Sequence, residues 1–431
     1  MSTNTIPLQL DLVSQSFKAN PYPTYAHLRA AAPVVLTRVP DGREAWLVSR
    51  YADVLSALRD PRLSKDRRKV TASHHMQFER VFEPLFRSLQ FNMLDLDPPD
   101  HTRLRALVHK AFTPRLVEQL RARIQSLANH LLDRAAQRGE LELVADYALP
   151  IPSTVIADLL GVPVADRHRF HRWTNTLVRV SSGGDLLKAL PSVLLFKRYL
   201  ERLIRYRRRE PRDDLISALV HAEEAGDRLN ADELVSMLLL LLIAGHETTV
   251  NLIAGGMLAL LEQPDQLQRL RSEPELLSRG TAVEELLRYA SPVQFATERY
   301  AVESVQLSDH TIPSGALVLC VIGSANHDAQ QFAQPDQLDL ARSPNPHVAF
   351  GQGIHYCLGA PLARLEAQIA FETLLQRFTD IQLAASPESL MWQRGIFVRG
   401  VERLPVRVHT AARASPQPGN SVTPSTGSTC G

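Results

Sequence analysis

Cys357 stands in the run Phe350-Gly351-Gln352-Gly353-Ile354-His355-Tyr356-Cys357-Leu358-Gly359, a loop punctuated by glycines. It leads into Ala360-Pro361-Leu362-Ala363-Arg364-Leu365-Glu366, which reads as a helix start with proline in its first turn. A sulfur so placed faces the positive end of the helix and nearby backbone N–H groups, a setting that stabilises a thiolate. A second unusual run, Ala244-Gly245-His246-Glu247-Thr248-Thr249, interrupts an otherwise apolar helical pattern. Glycine inside a helix costs up to ~1 kcal/mol. Thr248 tends to bond back to the carbonyl of Ala244, and a charged Glu247 after an apolar stretch is costly unless solvated. An acid beside a hydroxyl in a mostly dry pocket can carry protons. Taken alone, the first run also fits a buried free cysteine and the second a kinked core helix with a snorkelling acid.

The pattern Phe350-x-x-Gly353-x-x-x-Cys357-x-Gly359 resembles the haem-thiolate loop of the cytochrome P-450 family. Ala244-Gly245-His246-Glu247-Thr248 resembles the family's oxygen-activation groove. The resemblance implies haem b (iron protoporphyrin IX) with Cys357 as the iron ligand and Phe350, Gly353 and His355 in the surrounding loop. It further implies that Thr248 hydrogen-bonds the oxygen being activated, while Glu247 helps to deliver protons. His101 and Arg105, four apart in Asp97-Pro98-Pro99-Asp100-His101-Thr102-Arg103-Leu104-Arg105, match propionate partners, as do Arg299 and His355. Arg103 and Lys110 fit an exposed basic face. Glu285-x-x-Arg288 matches the family's structural acid–base pair, and Phe332-x-x-Pro335-x-x-Leu338-x-x-x-Arg342 offers Arg342 as its third member. At His327, bacterial relatives often carry Arg.

These residues need a scaffold. Asn230 and Glu233 form a plausible capping pair and Pro264 a stop, with about 32 residues between them, roughly 48 Å of helix. That helix is apolar nearly all round from Leu238 to Ala244, so it should cross the interior. Before it come a helical pattern from Thr24 to Ala31 and two strand-like runs, Val34 to Val39 and Ala45 to Val48, joined at Asp41-Gly42. From Pro98 onward most of the chain reads as helix. Short strands are expected between Phe295 and Ile322, with Cys320 in a core strand, and again from Ile396 to Val408. The expected class is mainly α with small β-sheets, the cytochrome P-450 fold with a long central helix crossing over the haem. Residues 1–408 make a single haem-thiolate domain and 409–431, rich in Ser, Thr, Gly and Pro, a disordered tail.

The chain has 431 residues, 45% hydrophobic and 22% charged, with a formal net charge of +2. That balance argues against nucleic acid. The basic runs Arg59–Lys69 and Arg205–Arg212 read as solvated helix ends and loops. The three cysteines, Cys320, Cys357 and Cys430, have no paired spacing, so no disulfide framework or zinc site is suggested. No secretory leader is visible, and the longest apolar run, Met237 to Ala244, is far short of the roughly 20 residues of a membrane span. The expected placement is cytoplasmic, with no membrane and the protein acting as a monomer.

The implied activity is a monooxygenase that uses O2 to hydroxylate or epoxidise an apolar small molecule: a polyketide or macrolide, terpenoid, steroid or fatty acyl group. No flavin or nicotinamide fingerprint is present, so electrons should come from a ferredoxin-type partner with a separate reductase. Pocket walls are expected from Phe91 to Leu94, from Phe170 to Phe196, Ile243, Ala244, Val293, Gln294, Phe295, Ile396 and Phe397. Gln294 is the polar exception. A peroxide-driven or non-oxygenating member of the fold typically lacks the acid–threonine pair. A haem sensor without turnover fits poorly with an open distal groove.

Overall fold

Asn230 starts the longest helix: its side chain accepts the Glu233 N–H while the Glu233 carboxylate accepts the Asn230 N–H, each at 2.9 Å. This capping box is the one expected from the sequence, and the helix runs Ala231–Glu262 before Pro264 begins another. In the computed structural model, which describes residues 8–70, 92–178, 183–222 and 227–410, this helix is the axis of the molecule.

The helices that carry the argument are α1 (Gln15–Ala19), α2 (Tyr22–Ala31), α3 (Asp100–Ala111), α4 (Ala231–Glu262), α5 (Thr281–Ala290) and α6 (Ala360–Arg377). α4 touches both α5 and α6, and α6 also packs on the helix Arg121–Arg138. α4 is long and apolar enough to cross a membrane, but most of its apolar stretch is buried inside the protein, as in a core helix. Glu233 also accepts from Arg103, which reaches Asp227 as well at 3.3 Å. Arg103 is therefore a tie between α3 and the start of α4, not part of an exposed basic face.

Among the described residues, ten short strands form three sheets. β1 (Val34–Arg38), β2 (Glu44–Val48), β3 (Leu63–Ser64), β5 (Arg299–Ala301) and β8 (Leu317–Cys320) form one, in the order β1-β2-β8-β5-β3. Within it β2 and β8 are parallel, with Val48 opposite Cys320, and the other pairs are antiparallel. β4 (Glu140–Glu142), β9 (Asp380–Leu383) and β10 (Pro405–His409) form the second in the order β4-β10-β9. β6 (Val305–Leu307) and β7 (His310–Ile312) pair as a hairpin. Gly42, at φ +88°, makes the β1–β2 turn. Cys320 is 1% exposed on its core strand.

Three expectations change. The stretch from Ile396 to Val408 is mostly loop, with isolated bridges at Val398 and Val401, and only Pro405–His409 is strand. β4 and β9, which border β10, lie in stretches too short and too charged to signal strands. The basic runs are not wholly solvated: Lys65 is 5% and Arg207 1% exposed, the latter paired with Asp214. β10 reaches one residue past the expected domain end, and residues 411–431, with Cys430, lie outside the described residues.

The segment between β8 and α6 has little regular structure and depends on side chains. Glu285 and Arg288 on α5 are fully buried and doubly bonded at 2.8 Å, and Arg342 Nε reaches both Glu285 oxygens at 3.1 Å. Arg342 is thus the third member, as expected. Arg288 donates its remaining protons to the carbonyls of Asn326, Pro335 and Gln337. Glu285→Ala should destabilise the protein by about 3–5 kcal/mol, because it strands a buried guanidinium. Denaturant unfolding should show the lower midpoint. A loss under 1 kcal/mol would mean that the carbonyls alone satisfy Arg288.

Candidate functional site

Backbone geometry shapes the Cys357 loop. Gly351 and Gly353 hold φ of +69° and +73°, where side chains are strained, and a Cβ on Gly353 would meet the Leu58 carbonyl oxygen at 3.0 Å. The loop closes on itself when the Cys357 N–H donates to the Phe350 carbonyl at 3.0 Å. Phe350 packs edge-on against Tyr356, and the Arg364 guanidinium sits 4.5 Å above the Phe350 ring. Arg364 is itself fixed on Glu284, with contacts of 2.6 and 2.8 Å, and His347 approaches the same carboxylate at 3.0 Å. These partners hold the Glu284 carboxyl down at about 2 despite its burial.

Cys357 is accessible by surface, yet protein surrounds it closely enough to desolvate it. Burial pushes its thiol up. The N–H groups of Gly359 and Ala360, at the start of α6, and the cations Arg105 and Arg364 act in the opposite direction. Burial is the larger effect here, and the helix start and the two cations partly offset it.

On one side of this loop lies a group of donors that lack protein acceptors. His101 is 2% exposed with neither ring nitrogen bonded, and its ring is 4.4 Å from that of His355. His355 Nε2 and Arg299 Nε are likewise buried without a partner, although Arg299 Nη1 donates to the Leu63 carbonyl at 3.2 Å. Desolvation, with His101, Arg299 and Lys65 nearby, pushes the His355 imidazole down to about 3. Buried polar groups in folded proteins are normally bonded, so the cluster calls for an acidic ligand with several oxygens. The two carboxylates of a haem fit that requirement. Arg105 is already tied to the Tyr356 carbonyl at 2.7 Å, so it braces the loop as well.

Lys65 joins this cluster without having been expected. Its ammonium donates to Thr297 Oγ1 and to the Glu298 carbonyl at 2.8 Å, and burial pulls it down to about 7. In the sequence it was one more cation in a basic run, and only the pairing of β3 with β5 brings it beside Arg299.

The centre of α4 shows a break in burial and not in helicity. Leu242 and His246 are buried, whereas Ile243, Ala244 and Gly245 between them are exposed. Thr248 Oγ1 donates to the Ala244 carbonyl at 2.8 Å, the back-bond expected from the sequence, and Thr249 makes the equivalent bond to Gly245 at 3.4 Å. Glu247 is half-buried and makes no hydrogen bond among the described residues; desolvation raises its carboxyl, and Lys18 partly offsets this.

The expected pocket wall divides. Ile243 and Ala244 are exposed, and Leu94, Val293 and Phe397 are half-buried. Gln294 is corrected: it is 2% exposed, accepts from the Tyr25 hydroxyl at 2.7 Å and donates to the Ser291 carbonyl at 2.7 Å. It braces α2 against the turn after α5. Phe295, 1% exposed, and Ile396, 9% exposed, sit in the core with Tyr25 and Leu319. Phe170 and Phe196 pack against each other, ring centroids 5.6 Å apart, in the core. Phe91 lies outside the described residues. His327 is buried between Asp336, at 2.9 Å, and the Tyr289 carbonyl, at 3.0 Å, with Tyr22 stacked on its ring.

Residues 63–399 match the family described as Cytochrome P-450. The chain is 47% identical over 412 residues to Cytochrome P-450 107B1 of Saccharopolyspora erythraea, covering 94% of this chain and 99% of that one. It is 46% identical over 413 residues to Cytochrome P-450 monooxygenase PikC of Streptomyces venezuelae, covering 94% and 95%. Among solved structures, the Bacillus subtilis bacillaene polyketide synthase cytochrome P-450 PksS superposes with a TM-score of 0.87 at 42% identity, covering 93% of this chain and all of that one.

Cys357→Ala should lose most of its haem, and the reduced carbon monoxide adduct should lose its red-shifted Soret band; Cys320→Ala should be spectrally silent. An unchanged thiolate spectrum in Cys357→Ala would remove Cys357 as the ligand. His101→Ala, Arg105→Ala and Arg299→Ala should each weaken haem retention in part, because an unpaired buried carboxylate is costly. Full haem affinity in the triple variant, measured by transfer to apomyoglobin, would show that the propionates bind elsewhere.

Proposed function

The chain belongs to the cytochrome P-450 family and is a haem-dependent monooxygenase, and we propose that it oxygenates an apolar small molecule of the polyketide or macrolide class. We assign Cys357 as the iron ligand, and His101, Arg105, Arg299 and His355 as propionate partners joined by Lys65. Bound haem supplies O2 activation, with a thiolate ligand that pushes electron density toward O–O cleavage. The chain's own residues must then position the substrate, exclude bulk water and meter protons.

The observation that carries this reading is the exposed three-residue window, Ile243 to Gly245, inside a buried helix, flanked by Thr248 and Glu247. Because the Thr248 proton is committed to the Ala244 carbonyl, the Thr248 oxygen keeps its lone pairs available. It can therefore hold a water or a protonated group at one position above the window. Glu247 has a carboxyl raised by desolvation and no hydrogen bond among the described residues, which suits it to take up and release a proton. Ile243, Ala244, Leu94, Val293 and Phe397 present apolar surface to the substrate. Burial of Gln294 removes the one polar wall expected, which favours a substrate oriented by shape.

The polyketide assignment draws support from PksS, whose own description places it with a polyketide synthase. A ferredoxin-type donor with a separate reductase remains our choice of electron source, as the motifs of this chain hold no flavin or nicotinamide fingerprint.

Thr248→Ala should retain haem, the carbon monoxide spectrum and substrate binding, while reducing equivalents are diverted from product to hydrogen peroxide. Glu247→Gln should slow turnover more than it uncouples. Product and peroxide counted per reducing equivalent separate the two. Wild-type coupling in Thr248→Ala would mean that protons reach the haem by other groups. A panel of macrolides, terpenoids, steroids and fatty acids, scored by the shift of haem spin state, tests the substrate class.

A further inference from the structure

One acid holds the Cys357 loop from both of its ends. Glu284 stands on α5, next in sequence to the buried Glu285, and its contacts lead to the loop itself. On the outgoing side, Arg364 of α6 donates from Nε and Nη2 to the two Glu284 oxygens at 2.6 and 2.8 Å, a bidentate pair. Its third nitrogen, Nη1, donates to the Tyr356 hydroxyl at 3.3 Å, and Tyr356 is the residue before Cys357. On the incoming side, His347, with a side chain only 3% exposed, meets Glu284 Oε2 at 3.0 Å through Nε2.

The backbone fixes the direction of each bond around His347. The Ala349 N–H donates to His347 Nδ1 at 3.2 Å. Because an N–H only donates, Nδ1 carries the lone pair, and the ring proton sits on Nε2, where Glu284 accepts it. Ala349 immediately precedes Phe350, whose carbonyl accepts the Cys357 N–H at 3.0 Å. The Phe350 ring lies 4.5 Å under the Arg364 guanidinium and packs edge-on against Tyr356. The contacts therefore close a circuit. From Glu284 it runs to His347, to the Ala349 N–H, through Phe350 to Cys357, and back by Tyr356 and Arg364 to Glu284. With its carboxyl held at about 2, Glu284 is charged at any working pH and offsets Arg364, a cation that acts on the Cys357 sulfur.

We propose that Glu284 is a positioning residue for the Cys357 sulfur: it sets the incoming limb of the loop through His347 and the outgoing limb through Arg364, and it cancels the arginine charge beside the sulfur. The proposal rests on Cys357 being the iron ligand assigned above. Groups around a metal ligand orient it and tune its donor strength. Without the carboxylate, Arg364 keeps an uncompensated charge and the His347 ring loses its acceptor. The sulfur would then give less electron density to iron and hold its place less firmly.

The test uses the ferric holoenzyme of the full chain. In Glu284→Gln the haem reduction potential should rise, and the iron–sulfur stretch seen by resonance Raman should move to lower frequency. The reduced carbon monoxide adduct should lose its thiolate spectrum about tenfold faster, the worth of one hydrogen bond to a charged group. Glu284→Asp, which keeps the charge, should recover most of the potential. The two bonds of His347 can be separated. His347→Asn keeps an acceptor near the Nδ1 position for Ala349 but does not reach Glu284; His347→Gln keeps a donor toward Glu284 but offers Ala349 no acceptor. Each should lower the stretch frequency and speed loss of the thiolate spectrum, with a smaller rise in potential, because the Glu284–Arg364 pair remains. A purely structural tie would lower the thermal midpoint of these variants and leave potential and stretch at wild-type values, and that result would overturn the proposal. If Glu284→Gln does not fold with haem, the stretch frequency in the two His347 variants decides. Should Cys357→Ala keep a thiolate spectrum, the ligand assignment fails and the proposal with it; if Cys357 stands and Glu284→Gln is spectrally unchanged, the positioning role alone fails.

Discussion

A single buried carboxylate fixes the approach to the Cys357 loop. Glu285 is wholly inside the protein, and such an ion is tolerable only when its acceptor sites are filled. Besides Arg288 and Arg342 it accepts from the Asp339 N–H at 3.0 Å and from Asn345 Nδ2 at 3.1 Å. Asp339, Arg342 and Asn345 all lie in the irregular stretch that leads directly to Phe350. A segment with few ladder bonds of its own thus borrows its order from α5, and the loop after it inherits that order. Arg288 extends the same logic to the carbonyls of Asn326, Pro335 and Gln337. One ion cluster replaces what a strand or helix would otherwise supply.

The second constraint is a conflict built into α4. Its apolar length and its capping box make it the core helix, yet its middle carries glycine, an acid and two threonines, where packing would favour Leu or Ala. Thr248 and Thr249 satisfy their hydroxyls on the helix's own carbonyls, and the helix remains continuous despite them. The cost appears as the exposed surface at Ile243 to Gly245. Local disagreement with an otherwise consistent element is where function is expected, which supports the proposed distal role of this window.

Legibility in the sequence followed the range of the interactions. The capping box, the Thr248 back-bond, the Glu285–Arg288 pair and the core placement of Cys320 are local or follow from apolar patterning, and each stands where the residues implied. Arg342 and the donors at His101 and Arg299 became legible through family resemblance, since no spacing rule links α3 to β5. Lys65, Lys18 and Gln294 were misjudged or missed for one reason. Each is polar in a stretch that reads as surface or loop, and each is buried by a partner more than 200 residues away, at Glu298, Val398 and Tyr25 respectively. β4 and β9 escaped notice in the same way, because β10 is the strand that gives both of them a partner.

The buried cations make the two sides of the site physically different. On the Cys357 side, His101, His355 and Arg299 keep donors without protein acceptors, so part of their desolvation is left for a ligand to offset. Lys18, on α1, already donates to the Val398 carbonyl at 2.8 Å. Where donors are left unmatched, the protein gains stability when an anion arrives, and ligand binding and folding become linked. Where a buried donor already has a protein acceptor, no such linkage arises. The unmatched donors beside the Cys357 loop therefore suit the proposed retention of a dianionic cofactor, because its carboxylates would supply the acceptors the protein leaves out.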